Sequence, residues 1–312
     1  MARTVRIAGG GPAGCAAALA AVREGAAAVL YEKSRAARHK VCGEFLSAEA
    51  GSILDSLDVS IAPLRPTHIT RLEFHAGSFG RMGRLPEAAS GVSRYALDAF
   101  LLARVPNVVR SAAPDECDVI ATGRDPEAAG ERLFGFKAHF TGPRSDTIGL
   151  YFFNRAYVGV NSVEGGMTNV CGLAPEATLR QHGFDFDALV NSYAPLTARL
   201  RPMSRAWKWI ATGPVAFGRR FQGLRCGDAL GFIDPFTGAG MLHALLTGRL
   251  AGIAAARGTP IDAYLNECRR ALARPFATAA FIRSVFASRL DALTLVAPIG
   301  LIYRLTRAKQ SV

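Results

Sequence analysis

Apolar and polar positions change period several times along the chain, and each change predicts an element. "TVRIA", from Thr4 to Ala8, is a short apolar run like a buried strand, and Ala13 to Glu24 is an alanine-rich run that reads as a helix ended by Gly25. "AAAVLY" reads as a second buried strand, with Glu32 at its end. The next segment, "RHKVCGEFLSAEAGSILDSL", is a loop that turns helical near Ser47, a residue suited to an N-cap. "HITRLEFHAGSFGRMG" then alternates in steps of two and pivots on "AGS" as a hairpin does, while "SRYALDAFLLARV" reads as a helix and "CDVIATGR" as a buried strand ending in glycine. "FGFKAHF", "TIGLYFF", "AYVGVNS" and "MTNVCGL" are four further short strands separated by turn residues. From "LRCGDALGFIDPFTGAGM" onward the pattern is a short strand, a glycine-rich turn and helices.

This order predicts an α/β fold of two interleaved domains. Residues 1–66, 93–124 and 221–312 form a parallel-sheet domain with C-terminal helices, and residues 67–92 and 125–220 form an antiparallel-sheet cover. With 312 residues, half of them apolar, a sizeable core is available. Only "MAR" precedes the first strand, and no uncharged apolar run of about 18 residues reads as a spanning helix, so a cytoplasmic protein is expected. Six scattered cysteines without a C-x-x-C pair argue against a zinc site or a secreted disulfide framework, and no metal-ligand spacing appears.

Charge is the least even feature. Lys plus Arg exceed Asp plus Glu by 37 − 25 = +12, and Arg269 to Lys309 holds eight basic residues against the single acid Asp291. Leucines rather than aromatics lie between them and no nucleic-acid-reading motif is present, which argues against nucleic acid. An anionic cofactor, an acidic carrier protein or a membrane surface are the partners such a segment would attract. "RSVFASRLDALTLVAPIGLIYRLTRAK" is broken by Pro298 and Gly300, so most of it is expected to pack on the parallel-sheet domain, its basic and apolar end being the part that would rest on a membrane or carrier.

Two glycine clusters carry the chemistry. Gly9, Gly11 and Gly14 are spaced G-x-G-x-x-G between the first strand and the first helix, with Pro12 at the helix start. That setting points to a dinucleotide: one glycine for the tight turn, one for close approach of a pyrophosphate, one for close helix packing, and free N–H groups at the helix end. Glu32, 18 residues after Gly14, is placed to accept hydrogen bonds from an adenosine ribose. In the second cluster, Asp228 follows a short strand, and Pro235, Gly238 and Gly240 precede an apolar helix, building a second anion-accepting helix start.

With these motifs the chain resembles the FAD-dependent superfamily of p-hydroxybenzoate hydroxylase-type monooxygenases, geranylgeranyl reductases and flavin halogenases. "GGGPAG" with Glu32, "KVCGEFLS", "SRYALDAFL", "ATGR" and "GDALGFIDPFTGAGM" carry the resemblance over most of the chain, and "KVCGEFLS" with the last block is most similar to the geranylgeranyl-reductase branch. The resemblance implies a Rossmann-like FAD domain of the glutathione-reductase and p-hydroxybenzoate-hydroxylase type. Gly9, Gly11, Pro12, Ala13, Gly14, Glu32 and Lys33 would hold the ADP half, Arg94 the pyrophosphate side and Cys42 would lie near the flavin. Gly227 and Asp228 would meet the ribityl chain, and Pro235, Gly238, Gly240 and Met241 the flavin N1 and O2 edge.

Departures from the pattern restrict what else is carried over. The strand "VIATGRDPEAAG" has Gly123 and Arg124 where the hydroxylases carry an Asp-Gly motif, and a second G-x-G-x-x-G is missing. NADH or NADPH is thus expected only as a transient reductant, or another protein delivers electrons. "WKWI", Trp207 to Ile210, resembles the W-x-W-x-I-P motif of flavin halogenases but runs on into "ATGP", and two tryptophans two apart fit one face of a strand. Candidate substrate-facing residues are Lys137, His139, Tyr151, Asn154 and Tyr157, with Lys137 and His139 sharing a strand face. The expected activity is hydroxylation of a hydrophobic, aromatic or polyketide-like small molecule through a flavin C4a-hydroperoxide. The alternatives are carbon–carbon double-bond reduction of the geranylgeranyl-reductase type and a non-catalytic nucleotide-binding protein.

Overall fold

A computed structural model describes residues 3–124, 132–215, 217–287 and 299–308. The chain opens with β1 (Thr4–Ala8), α1 (Pro12–Arg23) and β2 (Ala27–Tyr31). It then passes through a short strand, β3 (Phe45–Leu46), α2 (Ala48–Asp55), the hairpin β4 (Thr67–Ala76) and β5 (Phe79–Gly91), α3 (Arg94–Leu102), and two short strands, β6 (Val108–Val109) and β7 (Val119–Ile120). β6, β2, β1 and β7 lie side by side in parallel, and the backbone returns next to β7 a last time where Ile120 bridges Arg225.

The cover is made of β8 (Leu133–Thr141), β9 (Thr147–Phe153), β10 (Ala156–Ser162) and β11 (Met167–Pro175), followed by α4 (Glu176–Gln181), α5 (Phe186–Asn191) and α6 (Ala194–Leu200). β12 (Ser204–Arg205) and β13 (Ile210–Val215) both pair with β8. The sheet runs β12-β8-β11-β10-β9-β4-β5-β3. All its pairs are antiparallel except β4 with β9, so the sheet is mixed rather than antiparallel throughout as expected. The four short strands and the hairpin fall where alternation places them. β3 does not: Phe45 and Leu46, expected in a loop, pair with Gly91 and Ser90 at the sheet's edge, so the segment before α2 is part of the mixed sheet. Ser47 sits at the N-cap of α2, but its hydroxyl makes no capping bond.

A small hairpin, β14 (Gly218–Arg219) with β15 (Gly231–Phe232), leads to α7 (Gly240–Arg257), the long α8 (Ile261–Ala287) and α9 (Ile299–Leu305). α7 packs directly along α1, and glycine decides how closely. A Cβ at Gly248 or Gly252 would overlap the carbonyl oxygens of Ala13 or Ala17, so the two backbones touch where the alanine-rich face of α1 offers no bulk. The apolar core follows this seam: Ala16, Ala17, Ala20, Leu242, Leu245 and Ala251 are all buried in one cluster. A second core fills the space between the sheet's other face and α4–α6. None of the described helices is long and apolar enough to cross a membrane.

The described end of the chain packs inward. Tyr303 lies in a cluster with Phe45, Ile69, Leu85, Ala89 and Ile148, and Thr306, Arg307 and Ala308 are buried. Of the stretch whose basic and apolar end was expected to rest on a membrane or carrier, Tyr303 and residues 306–308 are buried and Arg304 is exposed, while residues 288–298 and 309 lie outside the described residues.

Candidate active site

The first glycine turn divides its labour residue by residue. Gly9 takes φ 103°, and a Cβ there would overlap the carbonyl of Ala121. A Cβ at Gly14 would overlap the carbonyl of Gly9, which is how α1 comes to lie so close to β1. Gly11 is different: only Arg94 Nη2, 3.8 Å away, is near the space a side chain would take. Gly11 is also the N-cap of α1, with Pro12 following and no side chain capping the helix, so the end containing Ala13 and Gly14 is open to a ligand. Glu32 closes the other side, accepting from Gly10 N at 2.9 Å and Ser34 N at 2.7 Å. Burial would raise its pKa, but the backbone donors of Ser34 and Gly10 hold it below the ordinary value, so it is a carboxylate. Lys33 beside it is exposed.

Arg94 reaches this space from the start of α3. Ser93 caps that helix, accepting from Ala96 N at 3.1 Å, and Glu164 from the turn between β10 and β11 accepts from Ser93 N at 2.7 Å. The Arg94 guanidinium donates to both oxygens of Asp98, and Lys40 Nζ to Asp98 Oδ2 at 2.7 Å, so two cations and one buried carboxylate adjoin the open space.

Asp228 sits in the tight turn Gly227–Ala229, with φ 60° at Gly227 and Gly227 N donating to Thr247 Oγ1 at 2.8 Å. Its carboxylate accepts no hydrogen bond among the described residues and stands 4.0 Å from Arg124 Nε. Burial pushes its pKa up, with Arg124 and Arg94 pulling it back. The fold does not use it as a helix cap. In the next turn, Gly238 takes φ 62° ahead of the uncapped start of α7, so Gly240 and Met241 begin a second open helix end.

Asp234, on that loop and 4% exposed, has its pKa pushed up to about 7 by burial, against the pull of Arg283 at 3.4 Å. The folded chain therefore holds this proton where an unfolded one, with an ordinary carboxyl near pKa 4, releases it. Stability is expected to fall as pH rises between about 4 and about 7 because of this group. Asp234→Asn removes the dependence, so relative to the parent protein the variant should be more stable at pH 8 than at pH 5. Equal differences in urea unfolding free energy at the two pH values would contradict this.

The sheet presents a polar patch to the first domain. In register across β8, β11 and β10 lie His139, Asn169 and Asn161, with Lys137, Cys171 and Gly159 in the adjacent row. The segment 40–46, which ends in β3, crosses this patch. Asn169 Nδ2 donates to Cys42 O at 3.1 Å and Asn161 Nδ2 to Glu44 O at 3.4 Å. Glu44 takes φ 53°, unusual for a side chain other than glycine, and turns its carboxylate inward. There it accepts from Lys137 Nζ, from His139 Nε2 at 2.6 Å and from Arg94 N at 2.7 Å. Lys137 and Glu44 are 0% exposed and His139 is 2% exposed. Burial would raise the Glu44 pKa, but the His139 hydrogen bond and the Lys137 charge more than reverse it, and it stays a carboxylate. His139 is flanked by Trp207 at 4.8 Å and His39 at 5.4 Å between ring centroids, and His39 stacks on the exposed Tyr95 at 4.9 Å.

The five substrate-facing candidates thus separate. Lys137 and His139 share a face, but it is closed by Glu44 and is not the solvent side. Tyr157 faces the same domain boundary, edge-on to Phe236 at 6.1 Å, and burial raises its pKa well above ordinary. Tyr151 belongs to the opposite face, in the core under α4–α6 and stacked on His75 at 4.9 Å. Asn154 is exposed in the β9–β10 turn with φ 48°. Cys42 is half-buried and its Sγ accepts from Glu44 N at 3.5 Å. The two tryptophans of "WKWI" precede β13 and part company: Trp207 joins His139, and Trp209 joins Phe136, Phe140 and Phe186 on the other face, its Nε1 donating to Asp187. Glu44 and Asp234 are residues that pattern reading passed over, and Arg124 was read only as a departure from the Asp-Gly motif. For Glu44 the signal was a lone acid inside the apolar run "VCGEFL".

Neither a protein-family model nor a curated protein matches the sequence. Solved structures do. The flavin-dependent brominase Bmp2 superposes with a TM-score of 0.82 at 16% identity, over 98% of this chain and 93% of that one. CmlS, a flavin-dependent halogenase, gives 0.77 at 19% identity, over 100% of this chain and 68% of its own. A geranylgeranyl bacteriochlorophyll reductase-like protein from Thermoplasma acidophilum gives 0.73 at 16%, over 98% and 96%. Identities this low speak for architecture alone, and on that ground the chain has the fold that these solved structures share.

Proposed function

We propose that the chain is an FAD-dependent oxidoreductase that hydroxylates a hydrophobic, aromatic or polyketide-like small molecule. The observation that carries the FAD assignment is the contrast between Gly9 and Gly14, closed by backbone, and Gly11, open beside Arg94. The uncommitted carboxylate of Asp228 and the uncapped start of α7 fit the ribityl and ring ends of the same cofactor. When bound, FAD supplies the redox chemistry, and the chain's residues bind, orient and exclude water. Leu133, Leu173 and Val215, with Tyr157, Phe217 and Phe232 against them, form an apolar wall at the domain boundary that suits such a substrate. NADH, NADPH or a partner protein supplies the electrons. In the net reaction one oxygen atom of O2 enters a C–H bond and the other leaves as water, taking up two electrons and two protons.

A second reading, reduction of a carbon–carbon double bond, is favoured by one feature. The Glu44, Lys137 and His139 cluster holds protons at Nζ and Nε2 in a water-free place, as a group that protonates carbon requires. Oxygen separates the two. Hydroxylation consumes one O2 per product and stops under nitrogen; a reductase works at least as well without oxygen.

Asp228→Ala is expected to weaken FAD retention by ten- to a hundredfold, the loss of a charge-assisted hydrogen bond of about 1.5–3 kcal/mol, with little change in melting temperature. A variant that melts early but stays fully loaded would mark Asp228 as structural. As partners we propose an anionic membrane surface or an acidic carrier protein, met by the exposed Arg269, Arg270, Arg274 and Arg283 of α8. Co-sedimentation with anionic vesicles that is reversed by salt tests the membrane version; a protein that stays in the supernatant at low salt ends it.

A further inference from the structure

The last described residues deliver a buried cation whose guanidinium nitrogens the fold satisfies only in part. Arg307 is 4% exposed, anchored through its carbonyl and that of Arg304 by Arg274 Nη2. Its guanidinium lies 4.0 Å over the Tyr303 ring and 5.7 Å from that of Phe45. Nε and Nη1 have no hydrogen-bond partner among the described residues, and the groups that favour its charge are the Tyr303 hydroxyl and Glu49 on α2. His243 faces the same charge from the first turn of α7, also 4% exposed and with both ring nitrogens unpartnered. Burial and the Arg307 charge bring the His243 pKa down to about 3, so it is neutral, and the charged groups here are Arg307 and, acting on it from α2, Glu49. The Tyr303 ring and Glu49 offset part of the cost of removing a guanidinium from water, and Nε and Nη1 are left for a further negative or electron-rich partner. What it points toward is Gly238, where Nη2 is 3.8 Å from the place a Cβ would occupy, just before the uncapped start of α7.

This inference rests on the FAD reading above, with the flavin's N1 and O2 edge at the Gly238–Met241 turn. Two-electron reduction of FAD with uptake of one proton leaves a negative charge on that edge; uptake of two leaves none. We propose that Arg307, carried in by the C-terminal segment, is the counter-charge for reduced FAD, so that this segment sets the cofactor's reduction potential more than its affinity. His243, neutral and beside it, adds no charge of its own, so Arg307 acts together with the open start of α7.

The test is a spectroelectrochemical titration of the FAD-loaded full-length protein between pH 6 and pH 8. The parent protein should take up one proton per two electrons, a slope of about 30 mV per pH unit. Arg307→Met should weaken reduced relative to oxidised FAD at least tenfold, a fall of about 30 mV or more, keep its FAD stoichiometry, and steepen the slope toward about 60 mV per pH unit. Arg307→Lys, which keeps the charge, should recover most of the potential. A parent slope of about 60 mV per pH unit overturns the proposal without any variant. So does an Arg307→Met protein that loses melting temperature but keeps its potential, the outcome of a purely structural arginine. If the parent takes up no FAD, the cofactor reading falls and the inference with it; a loaded protein with an unmoved potential removes the inference alone.

Discussion

Replacing Glu44 by alanine is expected to destabilise the folded protein by about 3–5 kcal/mol, because Lys137 and His139 would then be left buried without their carboxylate. The cost comes less from the attraction lost than from the cation left without solvent or a counter-charge, with only the Lys40 carbonyl at 3.3 Å to accept from it, so removing the second charge should restore part of it. Glu44→Ala combined with Lys137→Met is accordingly expected to be less destabilised than the two single changes added together. Chemical denaturation of the four proteins measures this. Strict additivity would mean that the buried pair is not coupled. The Glu44 pKa is held low in the folded chain, so its contribution is present above the ordinary carboxylate range and is lost as pH falls through the folded value. The difference between parent and variant should therefore shrink in acid.

Gly11→Val and Gly14→Val, three positions apart in one turn, are expected to fail in different ways. Gly14 abuts the carbonyl of Gly9, so any Cβ there pushes α1 off β1, and the variant should not fold. Gly11 has φ −79°, which valine adopts without strain, and a nearly empty side-chain space. Its variant should melt close to the parent and bind FAD at least about a hundredfold more weakly, since the new side chain fills the space a pyrophosphate would take. Circular dichroism and flavin absorbance read the two failures separately. A Gly11→Val protein that retains its flavin, or that unfolds as Gly14→Val does, would show that the turn closes on protein alone.

Where local pattern and burial agree, the sequence was sufficient. "TVRIA", the glycine turn, the alanine-rich helix and the strand that ends just before Glu32 occur in the structure as read, because strand, turn and helix are each settled within a few residues. The strands from "FGFKAHF" to "MTNVCGL" were legible for the same reason. Pairing order was not: β4 lies parallel to β9 through a contact between residues more than seventy apart, which no local period encodes. Face assignment succeeded within a strand, as for Lys137 and His139, and failed between strands. Tyr151 and Tyr157 look alike in sequence, yet the β9–β10 hairpin sends them to opposite sides of the sheet. Glu44 was hidden because its partners lie about ninety residues away, and its left-handed backbone has no sequence signature apart from glycine. Gly248 and Gly252 read as ordinary members of an apolar helix until α1 is placed against them.

The most direct measurement is the visible absorbance spectrum of the purified full-length protein before and after incubation with FAD, followed by release and quantitation of the bound flavin. One FAD per chain, bound by the parent and absent from a folded Gly11→Val variant, is the predicted result. A folded parent protein that is colourless and stays so with added FAD would contradict the assignment of both glycine turns and of the chemistry built on them.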